Sequence, residues 1–376
     1  MSLFIVLSLL TAYVWAGYPL LLWLLRRILP RRPAQGESRV FVSVIVAVHN
    51  EESKIGAKLL DCMQLSYPSD LVEFLVVSDG STDRTEEIVG EHASSDPRIH
   101  LLRSERVGKS GAQNLAVEHA QGQILVFTDA GTRTQSNLLQ TLVGNFADSR
   151  VGLATGVVYF GHPGEAVLKG QGFYWRYEFF LRQVESDVGI LSTATGTSLA
   201  MRRELFRPME SCYGEDCILP LDVRLQGYRV VQDPEAVVFD TMPDTVEGEF
   251  RARVRMTARN WTGTLSRPAL LNPLRFPLTS LGLISHKLLR WLTPVLLAII
   301  FSLNVFLVFH HQQIFLWILQ LIFYAAALVG WISTRMKRPA GIFAYPFSFC
   351  LANVGFLLGL LKAARSEKIT AYQTGG

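Results

Sequence analysis

The chain has 376 residues, 49% of them apolar, with 36 lysines and arginines against 32 aspartates and glutamates. That apolar share is too high for a purely soluble protein. The net charge of +4 gathers beside uncharged runs, which favours anionic lipid head groups as partners and argues against nucleic acid. Four cysteines (Cys62, Cys212, Cys217, Cys350) form no C-x-x-C pair, so unpaired thiols in a reducing compartment are expected rather than a disulfide framework or a zinc site.

Residues 3–25 carry no charge, and crossing a bilayer takes about 20 apolar residues. Arg26, Arg27, Arg31 and Arg32 follow at once, a cytoplasmic marker under the positive-inside rule, whereas a cleavable signal carries its charge before the apolar run. Residues 1–26 are therefore read as an uncleaved anchor with its N-terminus outside.

Residues 41–48 are a continuous apolar run, as in a strand buried on both faces. A helix beginning near Glu51 follows, with Ile55, Leu59 and Leu60 on its apolar side. Residues 72–77 read as the second strand, and Thr82 and Asp83 cap a helix carrying Ile88 and Val89. Residues 99–102 form a third strand, 110–119 a helix, and 124–127 a fourth strand leading into Asp129. This repeated alternation predicts a parallel, doubly wound sheet. Asp79 and Asp129 then stand at the C-terminal ends of strands, where α/β proteins bind ligands.

Past residue 150 the pattern loosens. Residues 151–158 and 195–201 read as strands, and 164–184 as a long helix whose Tyr174, Trp175, Tyr177, Phe179 and Phe180 are expected to pack rather than stack on sugar. A helix over 217–225 and short strands at 230–231 and 236–239 follow. Asp216 precedes that helix, either as its cap or as a third functional carboxylate in series with Asp79 and Asp129. Residues 272–290 are amphipathic and suit the membrane surface.

Residues 291–309, 314–334 and 340–361 are further spans, the last interrupted by Pro346. Lys287 and Arg290 before the first of these, and Arg335, Lys337 and Arg338 after the second, put the central domain in the cytosol and the 310–313 turn outside. A full crossing by the last segment would leave Lys362, Arg365 and Lys368 outside against that rule, so two or three C-terminal helices both stay open.

Five motifs stand in order: V-S-V-I-V-A-V-H-N-E-E, V-V-S-D-G-S-T-D-R-T, V-G-K-S-G-A-Q-N, V-F-T-D-A-G-T and Y-G-E-D-C-I-L-P-L. Together, from Val42 to Trp261, they resemble the inverting family 2 glycosyltransferases of the GT-A fold, above all membrane-bound members that build bacterial surface polysaccharides. The resemblance implies an α/β, GT-A fold: a Rossmann-like, mixed but mostly parallel sheet forming a cytosolic catalytic domain over 40–265. That domain would lie between the anchor at 1–26, an interfacial segment at 270–289 and a transmembrane region at 290–362, in the bacterial inner membrane.

It further implies that Asn50, Glu51, Asp79, Lys109 and Asp129 bind a UDP- or GDP-sugar, with Glu51 and Asp79 on ribose and base and Lys109 near the phosphates. Asp129 is the first position of the family's D-x-D, which holds Mg2+ or Mn2+ on the diphosphate. Gly131 replaces the second aspartate, so the metal needs another protein oxygen, for which Asp240 is the candidate. Asp216 falls at the general-base position with Glu215 beside it. Glu215, Arg255, Arg259 and Trp261 are candidates for the acceptor or diphosphate side, and Thr195-Gly196-Thr197 looks like the acceptor-side segment.

The Q-x-x-R-W of processive members is incomplete in both registers, since Met256 follows Arg255 and Asn260 precedes Trp261. The expectation is therefore transfer of one sugar to a lipid-linked or membrane-associated acceptor. A processive polysaccharide synthase and, given D-A-G, a non-catalytic membrane scaffold are the alternatives.

Overall fold

Strand alternation sends Val42, Val44, Val46 and Val48 to one face of the central sheet and Ile45 to the other, and helices cover both. The computed structural model describes residues 1–29, 33–36, 39–161, 173–241, 246–310, 314–336 and 338–365. The expectations for Arg31, Arg32, residues 164–172, residues 311–313, Lys337, Lys368 and the side chain of Tyr174 lie outside them. The strands are β1 (Val42–Val48), β2 (Val72–Asp79), β3 (Ile99–Ser104), β4 (Ile124–Phe127), β5 (Arg133–Thr134), β6 (Val151–Phe160), β7 (Leu199–Arg202) and β8 (Arg229–Asp240).

They form one eight-stranded sheet in the order β3-β2-β1-β4-β7-β6-β8-β5. β3, β2, β1 and β4 run parallel, as do β6 and β8, while β7 is antiparallel to β4 and β6, and β5 to β8. On one face Ile55, Leu59, Val89 and Leu142, from helices Ile55–Met63, Thr85–Ser95 and Leu138–Gly144, pack on the valines of β1. Opposite, Ala112 and Ala116 of Lys109–His119 and Leu219 and Val223 of Glu215–Leu225 cover Ile45, Leu75 and Val77. Strand order reverses around β1, and the crevice at its C-terminal end is where open α/β sheets bind ligands. Asp79 closes β2 and Asp129 lies just past β4, so both reach that crevice.

Three local differences from the sequence reading have physical causes. The two short strands expected at 230–231 and 236–239 are one 12-residue strand, β8, whose register with β6 slips between Thr155 and Val157. Pro234 lies in the slipped stretch, where its missing N–H breaks no ladder bond. The strand expected at 195–201 begins only at Leu199, and the chain before it turns toward the crevice. β5, only two residues long, has no periodicity to read.

Four helical runs are long and apolar enough to cross a membrane: Ser2–Ile28, Pro277–Phe309, Ile314–Arg335 and Gly341–Ala364. The stretch expected to lie on the membrane surface runs without a break from Pro277 into Leu289–Phe309. Its cations turn inward: Lys287 Nζ and Arg290 Nη1 lie 3.2 and 2.5 Å from the Glu178 carboxylate, and Arg26 of the first helix pairs with Asp187 at 2.7 Å. Pro346 falls in the first turn of Ala344–Ala364, where a missing N–H is harmless, so that segment is one helix.

This last helix crosses Val246–Leu265 through glycines. A Cβ on Gly359 would fall 2.6 Å from Thr257 Cβ, and one on Gly355 would fall 3.0 Å from Arg253 Cδ. Gly359→Ala is therefore expected to destabilise the detergent-purified chain by about 1–3 kcal/mol, read as a lower melting temperature. An unchanged melting temperature would mean that the two helices part freely.

Candidate active site

A cavity of about 520 Å³ opens at the C-terminal ends of the strands and extends to the long apolar helices. Asp79, Lys109, Asp129 and Gly131 line it from the sheet side, and Asp216 from the first turn of Glu215–Leu225. Trp175, Glu178 and Arg182 of helix Phe173–Val188 and Arg253, Met256, Thr257 and Asn260 of Val246–Leu265 complete the wall, with Lys287, Trp291 and Phe356 from the long apolar helices.

At the sheet end, the buried Asp79 carboxylate accepts from the backbone N–H of Val107 at 2.7 Å and of Gly108 at 3.1 Å, and from Arg106 Nη1 at 3.1 Å. Gly108 has φ +83, a conformation other residues rarely adopt, and this turn delivers Lys109 as the first residue of its helix. Lys109 Nζ then lies 2.6 Å from Asp129 Oδ1 and 2.6 Å from Glu215 Oε1. One ammonium thus joins two segments that are far apart in sequence.

Glu51 also lines the cavity, its carboxylate 3.0 Å from Lys54 Nζ. Asn50 lies off the wall: at φ +53 its Oδ1 accepts from Thr82 N at 2.8 Å, tying the N-E-E turn to the loop after β2. Beneath Asp129, the buried Lys58 ammonium donates to Thr128 Oγ1 at 2.8 Å and Thr132 Oγ1 at 3.2 Å, and burial lowers its pKa. In the sequence Lys58 looks like an ordinary polar position on an amphipathic helix.

Helix Glu215–Leu225 begins after Gly214, so Asp216 is not its N-cap. Burial pushes the Glu215 carboxyl up, but Lys109 overrides this and holds it below the usual range. Burial, and then the neighbouring Glu215 charge, push the Asp216 carboxyl up against the opposing pull of Arg259 and Lys109. A Cβ on Gly214 would fall 2.5 Å from Asp216 Oδ1 and 3.1 Å from Arg259 Nη2, so only glycine lets guanidinium and carboxylate meet over the backbone there. Gly196 of the T-G-T segment comes equally close, since its Cβ would fall 2.8 Å from Glu215 Oε1. The cavity therefore brings together a carboxylate able to take a proton and, beside it, a lysine able to hold an anion.

Asp240, at the end of β8, is the second carboxylate near Asp129, and burial first and Asp129 further on raise its pKa. Among the described residues no cluster of three or more His, Cys, Asp or Glu is arranged to hold a metal. Asp129 and Asp240 both line the cavity and feel each other's charge, which suits Mg2+ or Mn2+, ions that bind through one or two carboxylates with phosphate and water completing the shell. Beside the missing D-x-D aspartate, a Cβ on Gly131 would lie 3.6 Å from Lys54 Cδ, so the lysine stem borders that space.

The remaining expected residues spread out. Arg255 is exposed and lies off the cavity wall, Arg259 stands behind Gly214, and Trp261 packs edge-on against Trp291 with ring centroids 6.2 Å apart. Met256, next to Arg255, is the side chain of that motif that reaches the cavity. Of the aromatic cluster, Tyr177 stacks on Trp15 and Phe179 on Tyr159, as packing predicts, while Trp175 meets Phe160 and lines the cavity. Arg182 was not foreseen, because a single arginine on an aromatic helix gives no local signal.

Residues 43–209 match the model of the family described as Glycosyl transferase family 2. The chain is 29% identical over 251 residues to an N-acetylglucosaminyltransferase of Rhizobium meliloti (strain 1021), covering 62% of this chain and 58% of that one. It is 29% identical over 178 residues to the beta-monoglucosyldiacylglycerol synthase of Nostoc sp. (strain PCC 7120 / SAG 25.82 / UTEX 2576), covering 46% and 37%. The match thus spans less than two thirds of these relatives' own lengths. In structure it resembles the mannosyltransferase PcManGT from Pyrobaculum calidifontis, solved in complex with GDP-Man and Mn2+, with a TM-score of 0.74, 24% identity, and 97% and 99% of the two chains covered. That likeness establishes a GT-A-like fold, and within it residues 43–209 carry a domain matching Glycosyl transferase family 2.

Proposed function

We propose that the cavity transfers a sugar from a nucleotide-sugar to a lipid-linked or membrane-associated acceptor, at the cytosolic face of a bacterial inner membrane and with inversion at the anomeric carbon. The observation that carries this reading is that Asp216 and the Lys109–Asp129 pair line one cavity, close enough for their charges to act on each other. The acceptor hydroxyl oxygen bonds to the anomeric carbon while Asp216 takes its proton. The bond to the diphosphate oxygen breaks, and its electron pair leaves with the nucleoside diphosphate. Lys109, at a helix N-terminus, holds that anion, and Glu51 and the loop fixed by Asp79 hold the nucleoside. A divalent cation held by Asp129 and Asp240 with the diphosphate would supply further positive charge to the leaving group.

Several similarities support the reading. Relatives are named for N-acetylglucosaminyl transfer and for a glucosyl lipid, and the solved neighbour holds a GDP-sugar with Mn2+. Met256 at the cavity, in place of a tryptophan, favours transfer of one sugar over polymer growth. The purified chain, given a panel of UDP- and GDP-sugars with Mn2+ and a membrane-lipid extract, is expected to release nucleoside diphosphate from one of them. Absence of release and of nucleotide binding across the panel would reject the proposal and favour the scaffold alternative.

The rate is expected to rise with pH through the Asp216 pKa, with an acid limb above that of an ordinary aspartate. Arg259 pulls that pKa down, so Arg259→Gln is expected to move the limb to higher pH. A pH–rate profile of kcat checks this, and a limb displaced downward would contradict it.

A further inference from the structure

The donor accounts for the cavity residues at the strand ends, but further cations line the cavity from the helices. Arg182, Arg253 and Lys287 line it, and Arg290 lies behind, buried. The carboxylates among them are Glu178, which lines the cavity, and Glu185, which receives Tyr18 Oη at 2.7 Å and His286 at 2.8 Å. Burial pushes the Glu178 carboxyl up, yet Lys287, His286 and Arg290 together bring it well below the usual range, so its charge is fully answered.

Arg182 is in a different state. Its Nε and Nη2 are buried without a hydrogen-bond partner, although the side chain lines the cavity and feels the charges of Glu178, Glu185 and, less strongly, Asp216. A buried guanidinium with unmet donors is costly unless a ligand supplies the acceptor. Its planar fork suits the paired oxygens of a phosphate. The long apolar helices add to the same cavity wall through Trp291 and Phe356.

We propose that the helix-lined side of the cavity holds a phosphate group carried by an acceptor lipid, bound by Arg182 together with Arg253 and Lys287, while the acceptor's hydroxyl stands at Asp216. This rests on the glycosyl-transfer reading and adds the chemical class of the acceptor: an amphiphile with a phosphate between its tail and its reacting sugar. The phosphate is held and does not react. It orients the acceptor, and its requirement for an apolar tail confines transfer to membrane-borne substrates.

The test is a binding titration of the full chain in neutral detergent, read by fluorescence of Trp175 and Trp291, with dodecyl phosphate, dodecanol and inorganic phosphate as probes. UDP and GDP with Mn2+ are titrated in parallel. Dodecyl phosphate is expected to bind at least about tenfold more tightly than either other probe, and Arg182→Gln to weaken it about tenfold while nucleotide binding holds. Arg253→Gln, in which Arg182 is intact, is expected to weaken the same probe and decides the matter if Arg182→Gln does not fold.

Dodecyl phosphate binding no better than dodecanol, or unaffected by both variants, overturns the proposal. Inorganic phosphate binding as tightly makes this a free-anion site and overturns the lipid assignment. If Arg182→Gln weakens the nucleotide instead, the arginine serves the donor and the proposal fails. In each of these cases wild-type nucleotide binding leaves the glycosyl-transfer reading standing, whereas its absence removes that reading as well.

Discussion

Asp216→Asn is expected to lower the transfer rate by about 10²–10⁴-fold, the usual contribution of a positioned general base, and to leave nucleoside diphosphate affinity nearly unchanged. The asparagine keeps the shape that Gly214 and Gly196 accommodate, so the first turn of Glu215–Leu225 has no reason to move. It removes a charge that burial and Glu215 already disfavour, and the fold is therefore expected to be as stable as the wild type or more so at neutral pH. Single-turnover rates beside nucleotide titrations separate the two effects. Turnover within a few-fold of wild type would remove Asp216 from its role.

Lys109→Met is expected to have the largest effect on the folded state. It strips the cation from between Asp129 and Glu215, and the Glu215 side chain is only 4% exposed. Removing one partner of a buried pair costs about 3–5 kcal/mol, and the donor site loses its anion-holding group as well. The pH dependence should invert. In the wild type the Glu215 pKa is lowered, so its contribution is present above its unfolded value of 4.5 and fades as the pH falls through the lowered one. Without Lys109, burial pushes that pKa up against the weaker pull of a backbone hydrogen bond and Arg259, and stability is then expected to decline as the pH rises above 4.5. Chemical denaturation at pH 5 and pH 7 checks the sign. Adding Glu215→Gln to Lys109→Met should recover most of the lost stability but not the nucleotide affinity; failure to recover would mean that the charge pair is not what holds these segments together.

The parallel half of the sheet was legible because it is built from long buried strands, where β-branched runs such as V-S-V-I-V-A-V leave little choice. Asp79 and Asp129 were legible for the same reason, since a strand end fixes where the next side chain goes. The second half was harder. β7 and β5 are four and two residues long, too short for a period to show, and their antiparallel pairing depends on contacts distant in sequence. Asp79 lines the cavity, yet its carboxylate is taken up by Arg106, Val107 and Gly108, which a strand pattern does not reveal. The membrane-flanking charges were read from composition as facing head groups, but Arg26, Lys287 and Arg290 find carboxylates on helix Phe173–Val188. Trp261, a candidate for the acceptor or diphosphate side, packs on Trp291, because the side of Val246–Leu265 it occupies faces the long apolar helices.

On the proposed reading Asp216 takes the acceptor's proton and the sugar passes in a single displacement. The anomeric configuration of the first-formed product, read by NMR before mutarotation, tests this most directly. Inversion relative to the nucleotide-sugar is the predicted result. A product that keeps the donor's configuration would require a covalent or front-face step that this arrangement does not provide, and would contradict the account.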